Sequence, residues 1–169
     1  MSRTVSLNFR KELFAQESGE VPIFLLTITH PSLVDPVLLS TDATDRVSVD
    51  PLVYGTTSRS KQYLYAGVEL ELPDELERAA PVARMSVANV SRDLIPFVRS
   101  IVAPAPKIKI ECVLLSALDT VETSWPAFDM TEIDYDVAAI SFNLTLDALA
   151  EEPFPALTFG PAHFPGLFY

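Results

Sequence analysis

The sequence predicts a β-rich α+β domain: antiparallel, barrel-like strands, two short helices and an extended C-terminal arm rich in proline and phenylalanine. Three observations predict it. In Lys107–Leu115, Ile108, Ile110, Cys112 and Leu114 alternate with Lys107, Lys109 and Glu111, the period of a half-buried strand. Val21–Thr29 is apolar on both faces, with Ile23 and Leu25 opposing Phe24, Leu26 and Ile28, which suits a central strand covered on both sides. The arm, Glu151–Tyr169, breaks regular structure with Pro153, Pro155, Pro161 and Pro165, yet it is too apolar to stay in water.

Taken in order, Ser6–Gln16 reads as a short helix with Phe9, Leu13 and Phe14 on its apolar side, ended by Glu17-Ser18-Gly19-Glu20. The strand Val21–Thr29 stops at His30-Pro31. Val37–Thr41 and Arg46–Val49 are expected to form a hairpin across the turn-prone Asp42-Ala43-Thr44-Asp45. Tyr54–Lys61, rich in Ser and Thr, reads as an exposed loop. Gln62–Tyr65 and Val68–Leu72 are strand-like, with Glu69 and Glu71 facing out, and Pro73–Ala80 is an acidic connection.

Pro81–Ile110 reads as the unit around which the rest is organised. Ala83, Met85 and Val87 point one way and Arg84 and Ser86 the other; Asn89 and Ser91 offer turn or cap oxygens. Leu94, Val98 and Ile101 then form the stripe of a second helix. Finally, Trp125–Asp134 and Ala138–Leu146 read as a long hairpin turning at Asp134-Tyr135-Asp136, with Ile140, Phe142, Leu144 and Leu146 facing in. The domain organisation expected is a β-rich domain with an N-terminal helix over 1–150 and the arm over 151–169.

Bulk properties narrow the function. The 169 residues suffice for one domain with a real core, and 49% hydrophobic content argues against disorder. A formal net charge of −11 offers no basic patch to replace phosphate counterions, so no nucleic-acid partner is expected. Neither is a membrane: the charge is wrong for an anionic surface and no apolar run is long enough to span one. Arg3, Arg10, Lys11 and Glu12 interrupt Met1–Gln16, which is therefore not read as a signal peptide. The single cysteine, Cys112, allows no intramolecular disulfide and, on the apolar side of a strand, reads as a buried thiol.

The residues suited to chemistry do not assemble into a motif. His30 and His163 stand in unrelated contexts, and with one cysteine they complete no zinc site. There is no nucleophile elbow and no phosphate-cradling glycine loop. Two acidic groups, Glu69–Glu77 and Asp129–Asp136, could in principle serve glycoside hydrolysis or calcium, but they read as a solvated strand face and a turn. The expectation is a protein that is no enzyme and carries no catalytic, metal or cofactor site. Phe154, Phe159, Phe164, Pro165, Phe168 and Tyr169 are the candidate subunit-interaction residues, on an arm that packs either on its own domain or on a neighbour.

The order of these features resembles the N-terminal domain of the minor tail protein L, or tail-tip hub, family of long-tailed bacteriophages and small uncharacterised phage families related to it. The resemblance rests on Val21–Thr29, Tyr63–Leu70, Pro81–Val90, Lys107–Leu115 and the ending Phe164-Pro165-Gly166-Leu167-Phe168. It implies a structural component of the tail tip or baseplate, connecting the distal tail ring to the central hub. It also implies a homo-oligomeric ring of three- or sixfold symmetry, found in the virion and, during assembly, in the host cytoplasm. Fuller members of that family carry a cysteine-rich region that binds an iron–sulfur cluster, which a chain with one cysteine does not inherit. The alternative expectation is a carbohydrate- or receptor-binding module of the tail tip, using Tyr54–Lys61 with Tyr54 and Tyr63.

Overall fold

The computed structural model describes residues 5–72, 82–88 and 104–145. The second helix expected over Leu94–Ile101, the acidic connection Pro73–Ala80 and the arm Glu151–Tyr169 lie outside the described residues. What is described is β-rich: one helix, α1 (Leu7–Leu13), and strands β1 (Pro22–Thr29), β2 (Val37–Ser40), β3 (Asp45–Val49), β4 (Leu52–Ser58), β5 (Lys61–Tyr65), β6 (Val68–Glu71), β7 (Val82–Ala88), β8 (Lys107–Leu114), β9 (Ala117–Ser124), β10 (Phe128–Tyr135) and β11 (Ala139–Thr145).

The strands form one sheet in the order β3-β4-β5-β2-β1-β8-β10-β11-β7-β6, with β9 paired to β8 off this path. Every pairing is antiparallel except β2 with β5. β1 and β8 are the hub, matched residue for residue from Pro22↔Leu114 to Thr29↔Lys107. The far edge of β8 is shared: β10 takes Lys107 and Ile108, and β9 takes Glu111–Leu114. β9 and β10 are thus nearly one strand, bent at Trp125-Pro126-Ala127 where proline has no N–H for the ladder. Such a bend lets one strand serve two parts of a core. Leu118 and Val121 on β9 pack in one cluster, Phe128 and Met130 on β10 in another.

The sheet curls into a half-barrel. The main core shows why this must be so: it draws Leu39 from β2, Leu26 and Ile28 from β1, Ile108 and Ile110 from β8, Ile140, Phe142 and Leu144 from β11, Met85 from β7, and packs Val68 and Leu70 of β6 against them. In a flat sheet β2 and β6 would be six strand spacings apart, about 29 Å. Curling brings them together, and the short link Ala66-Gly67 joins the strand beside β2 to β6, with Ala66 N–H donating to Ser40 O and Ala88 N–H to Gly67 O. On its other face β1 sends Ile23 and Leu25 to a smaller core with Tyr63 and Val113. Each such fully buried aliphatic or aromatic side chain contributes about 1.5–3 kcal/mol, so β1 and β8, which both feed the two cores, are the most heavily committed strands.

Several expectations are corrected here. The organising element is β1–β8, whereas β7 lies one strand from the edge, between β11 and β6. The hairpin expected between Val37–Thr41 and Arg46–Val49 does not form. β2 pairs with β1 and β5, and β3 with β4. Asp42 does turn the chain, its side chain accepting from Thr44 N–H, but the turn carries it across the sheet to its edge. Tyr54–Lys61 is not a loop: β4 fills most of it, and Arg59 and Ser60, at φ 49° and 62°, make the two-residue turn into β5. Those two positive φ values are those of a type I′ hairpin, whose twist matches the flanking strands. β9 was not anticipated at all.

Candidate functional site

The predicted interaction residues Phe154, Phe159, Phe164, Pro165, Phe168 and Tyr169 lie outside the described residues. Two other regions within them gather polar or apolar groups in a way that calls for explanation. Both belong to the three-stranded flap β3–β4–β5.

The flap joins the body through a parallel ladder of only two residue pairs, Leu39↔Leu64 and Ser40↔Tyr65. Its turn end is clasped to β8 and β9. Ser58 Oγ donates to Leu118 O at 2.7 Å, and Arg59 N–H to Asp119 Oδ1 at 2.5 Å. The Arg59 guanidinium meets both carboxylate oxygens of Glu111, at 2.5 and 3.4 Å. Lys109 Nζ adds a third contact at 2.6 Å. Burial pushes the Glu111 carboxyl up, but hydrogen bonds from Arg59 and Lys109, with their charges, outweigh it and hold the group below its ordinary value. Arg59 is correspondingly raised, mainly by its hydrogen bond to Glu111 and against the effect of burial. Glu111, read from sequence as facing solvent, is therefore buried under its cations. Its faint signal was an acid standing directly before the apolar run Cys112-Val113-Leu114-Leu115.

The opposite end of the flap is open. β4 alternates, so Leu52, Tyr54, Thr56 and Ser58 share a face. Toward the turn that face is covered: Thr56 and Ser58 are fully buried, and Thr56 Oγ1 lies 2.9 Å from Ser40 Oγ. Away from it, the register sets Val49 opposite Leu52 and Arg46 opposite Tyr54, and because Tyr63 stands opposite Thr56, the alternation of β5 puts Tyr65 on the same face. Val49, Leu52, Tyr54 and Tyr65 are all exposed, the tyrosines at 40% and 48%. Tyr63, the other tyrosine singled out from sequence, is 2% exposed in the smaller core and presents no ring to a ligand.

A second apolar surface lies on α1. Ser6 caps this helix by accepting from Phe9 N–H at 3.1 Å, and Ser6 N–H donates to the buried Glu122 carboxylate at 2.8 Å. The helix is tethered at its start, but of its predicted apolar side only Phe9 is half-buried: Phe14 is 90% exposed and Leu13 is exposed, as is Leu7.

The remaining candidates have structural partners. His30 is buried; its Nδ1 accepts from Ser32 N–H at 3.1 Å, which leaves Nε2 to donate to Pro104 O at 3.0 Å. Cys112 is buried, and burial, with Glu122 nearby, pushes its thiol up to about 11. Glu69 and Glu71 face out along β6, the edge strand among the described residues, a charged edge that discourages strand addition. Asp136 accepts from Ala138 and Ala139 N–H, and these bonds lower its carboxyl. Among the described residues no group of three or more His, Cys, Asp or Glu is placed to hold a metal ion, and no helix is long and apolar enough to cross a membrane.

The fold and surfaces thus define an acidic, β-rich protein built on one curled sheet with a clasped flap and exposed apolar rows. The chain belongs to the family described as Domain of unknown function (DUF1833), whose model matches residues 8–159, from α1 through β11 into the proline- and phenylalanine-rich arm. A comparison with curated proteins finds no match.

Proposed function

We propose that this protein is a structural component of the tail tip or baseplate of a long-tailed bacteriophage, connecting the distal tail ring to the central hub. The observation that carries the reading is where the resembling segments fall. Val21–Thr29 contains β1, Tyr63–Leu70 joins β5 to β6, Pro81–Val90 contains β7 and Lys107–Leu115 contains β8. The likeness to tail-tip hub domains therefore runs through the sheet's hub, its curl and one edge. Exposed apolar side chains on α1 and the flap support the reading, because surfaces of this kind are buried in assemblies.

In this role the curled sheet is the rigid body and the arm 151–169 is the connector. Phe154, Phe159, Phe164, Pro165, Phe168 and Tyr169 make the contacts with a neighbouring subunit, and repetition of one contact closes a ring. Proline limits the freedom the arm loses on docking, so its phenylalanines bind at lower entropic cost. The test is to delete Glu152–Tyr169 and follow the protein into particles. The truncated chain is expected to keep its sheet by circular dichroism and to be missing from purified tails. Incorporation at the normal level would refute the connector role.

A further inference from the structure

Resting on that assembly reading, we propose that the exposed row Val49, Leu52, Tyr54 and Tyr65 on the flap is the receptor for the arm Glu151–Tyr169 of a second copy of this chain. The row has the chemistry to hold such a segment. Exposed tyrosines flanked by aliphatic side chains recognise proline-rich chains, whose extended form is already ordered and whose rings stack on aromatic faces. Charge matches as well: Arg46 is exposed at the row opposite Tyr54, and the arm begins with Glu151-Glu152, after which it carries no acidic residue and is mostly apolar. An acidic start seated at Arg46 would lay Pro153, Phe154 and Pro155 along the tyrosines.

The topology sets the end of the described sheet and the receptor row apart. β11 ends at Thr145, opposite Asp129, which is itself opposite Lys107 at the start of β8. Tyr65 instead pairs with Ser40, the last residue of β2, four strands across the sheet and at the other end of β2 from Ile28↔Val37. Thr145 and Tyr65 thus stand at different corners of the sheet, so the contact pairs two different surfaces, which closes a ring when it repeats head to tail.

The test uses the full chain with a photoreactive benzoylphenylalanine in place of Tyr54, mixed from light and heavy-nitrogen preparations. After photolysis, crosslinks from position 54 to residues 151–169 are expected to join light to heavy chains. Tyr54→Ser and Tyr65→Ser are each expected to weaken self-association about tenfold or more, as loss of a buried aromatic anchor does, while Tyr135→Ser, an exposed tyrosine on β10, leaves it unchanged. Crosslinks confined to chains of one isotope would place the arm on its own domain and overturn the proposal. So would crosslinks elsewhere, a chain that stays monomeric, or a glycan that binds the row with assembly unaffected by Tyr54→Ser. Tail-tip location with no light–heavy crosslink would sink this inference alone; the crosslink without tail-tip location would sink only the phage reading.

Discussion

Replacing Arg59 with alanine removes the clasp's guanidinium and leaves the backbone donor to Asp119 in place. Truncating one partner of a buried ion pair costs about 3–5 kcal/mol, and an exposed pair is worth about 0–1 kcal/mol. This pair is mixed, with the Glu111 side chain 7% and Arg59 37% exposed, and Lys109 remains 2.6 Å from the carboxylate. Solvent screening at the arginine end and that second cation put the expected loss near 2 kcal/mol. Arg59 and its replacement share the same positive φ, so backbone strain cancels. Urea unfolding followed by the fluorescence of Trp125, whose ring lies 6.2 Å from that of Phe24, is the assay. With a slope of about 2 kcal/mol per molar urea, the midpoint should fall by about 1 M at neutral pH. The pH dependence has a definite sign. Glu111 is lowered in the folded state, so its contribution is present above its unfolded value and is lost as pH falls through the folded one. The gap between wild type and Arg59→Ala should therefore hold across neutral pH and narrow in acid. An unchanged midpoint at neutral pH, or a gap that ignores pH, would refute the role assigned to the clasp.

Three further outcomes follow from the packing. Gly55→Ala drives a methyl into the Tyr63 carbonyl and against Val47, both held by the β3–β4–β5 ladder, so a loss of about 3 kcal/mol or failure to fold is expected in thermal melts. Phe128→Ala empties a fully buried site at the bend between β9 and β10, at about 3–5 kcal/mol by denaturant titration; a loss under 1 kcal/mol would show that the main core does not close there. Cys112, buried with its thiol raised to about 11, should resist a thiol reagent at mildly alkaline pH and react at once in denaturant, and rapid native labelling would contradict its placement.

Much of this architecture was legible in the sequence wherever a strand's own residues carry its period. β11 alternates cleanly, β8 does so from Lys107 to Ile110, and β1 is apolar on both faces because it serves two cores. The pattern of β7 was equally plain, but periodicity does not say which strands a segment lies between, so its place near the sheet edge was not visible. The same limit undid the Val37–Val49 hairpin, since turn chemistry reports a reversal and says nothing of the partner. β4 was missed because its inward residues, Thr56 and Ser58, are polar and bury themselves through hydrogen bonds to Ser40 and Leu118. β9 lacked alternation because one ladder edge of β8 holds it and its core contribution is confined to Leu118 and Val121. The clasp joins residues 52 positions apart, and the tyrosine row exists only through cross-strand register, so neither had a local signature.

The measurement that bears most directly on the proposed role is antibody–gold labelling of intact and detergent-split phage particles assembled with this chain. Label confined to the tail tip is the expected result. Particles that carry no label, or carry it on the head or along the tail tube, would contradict the account.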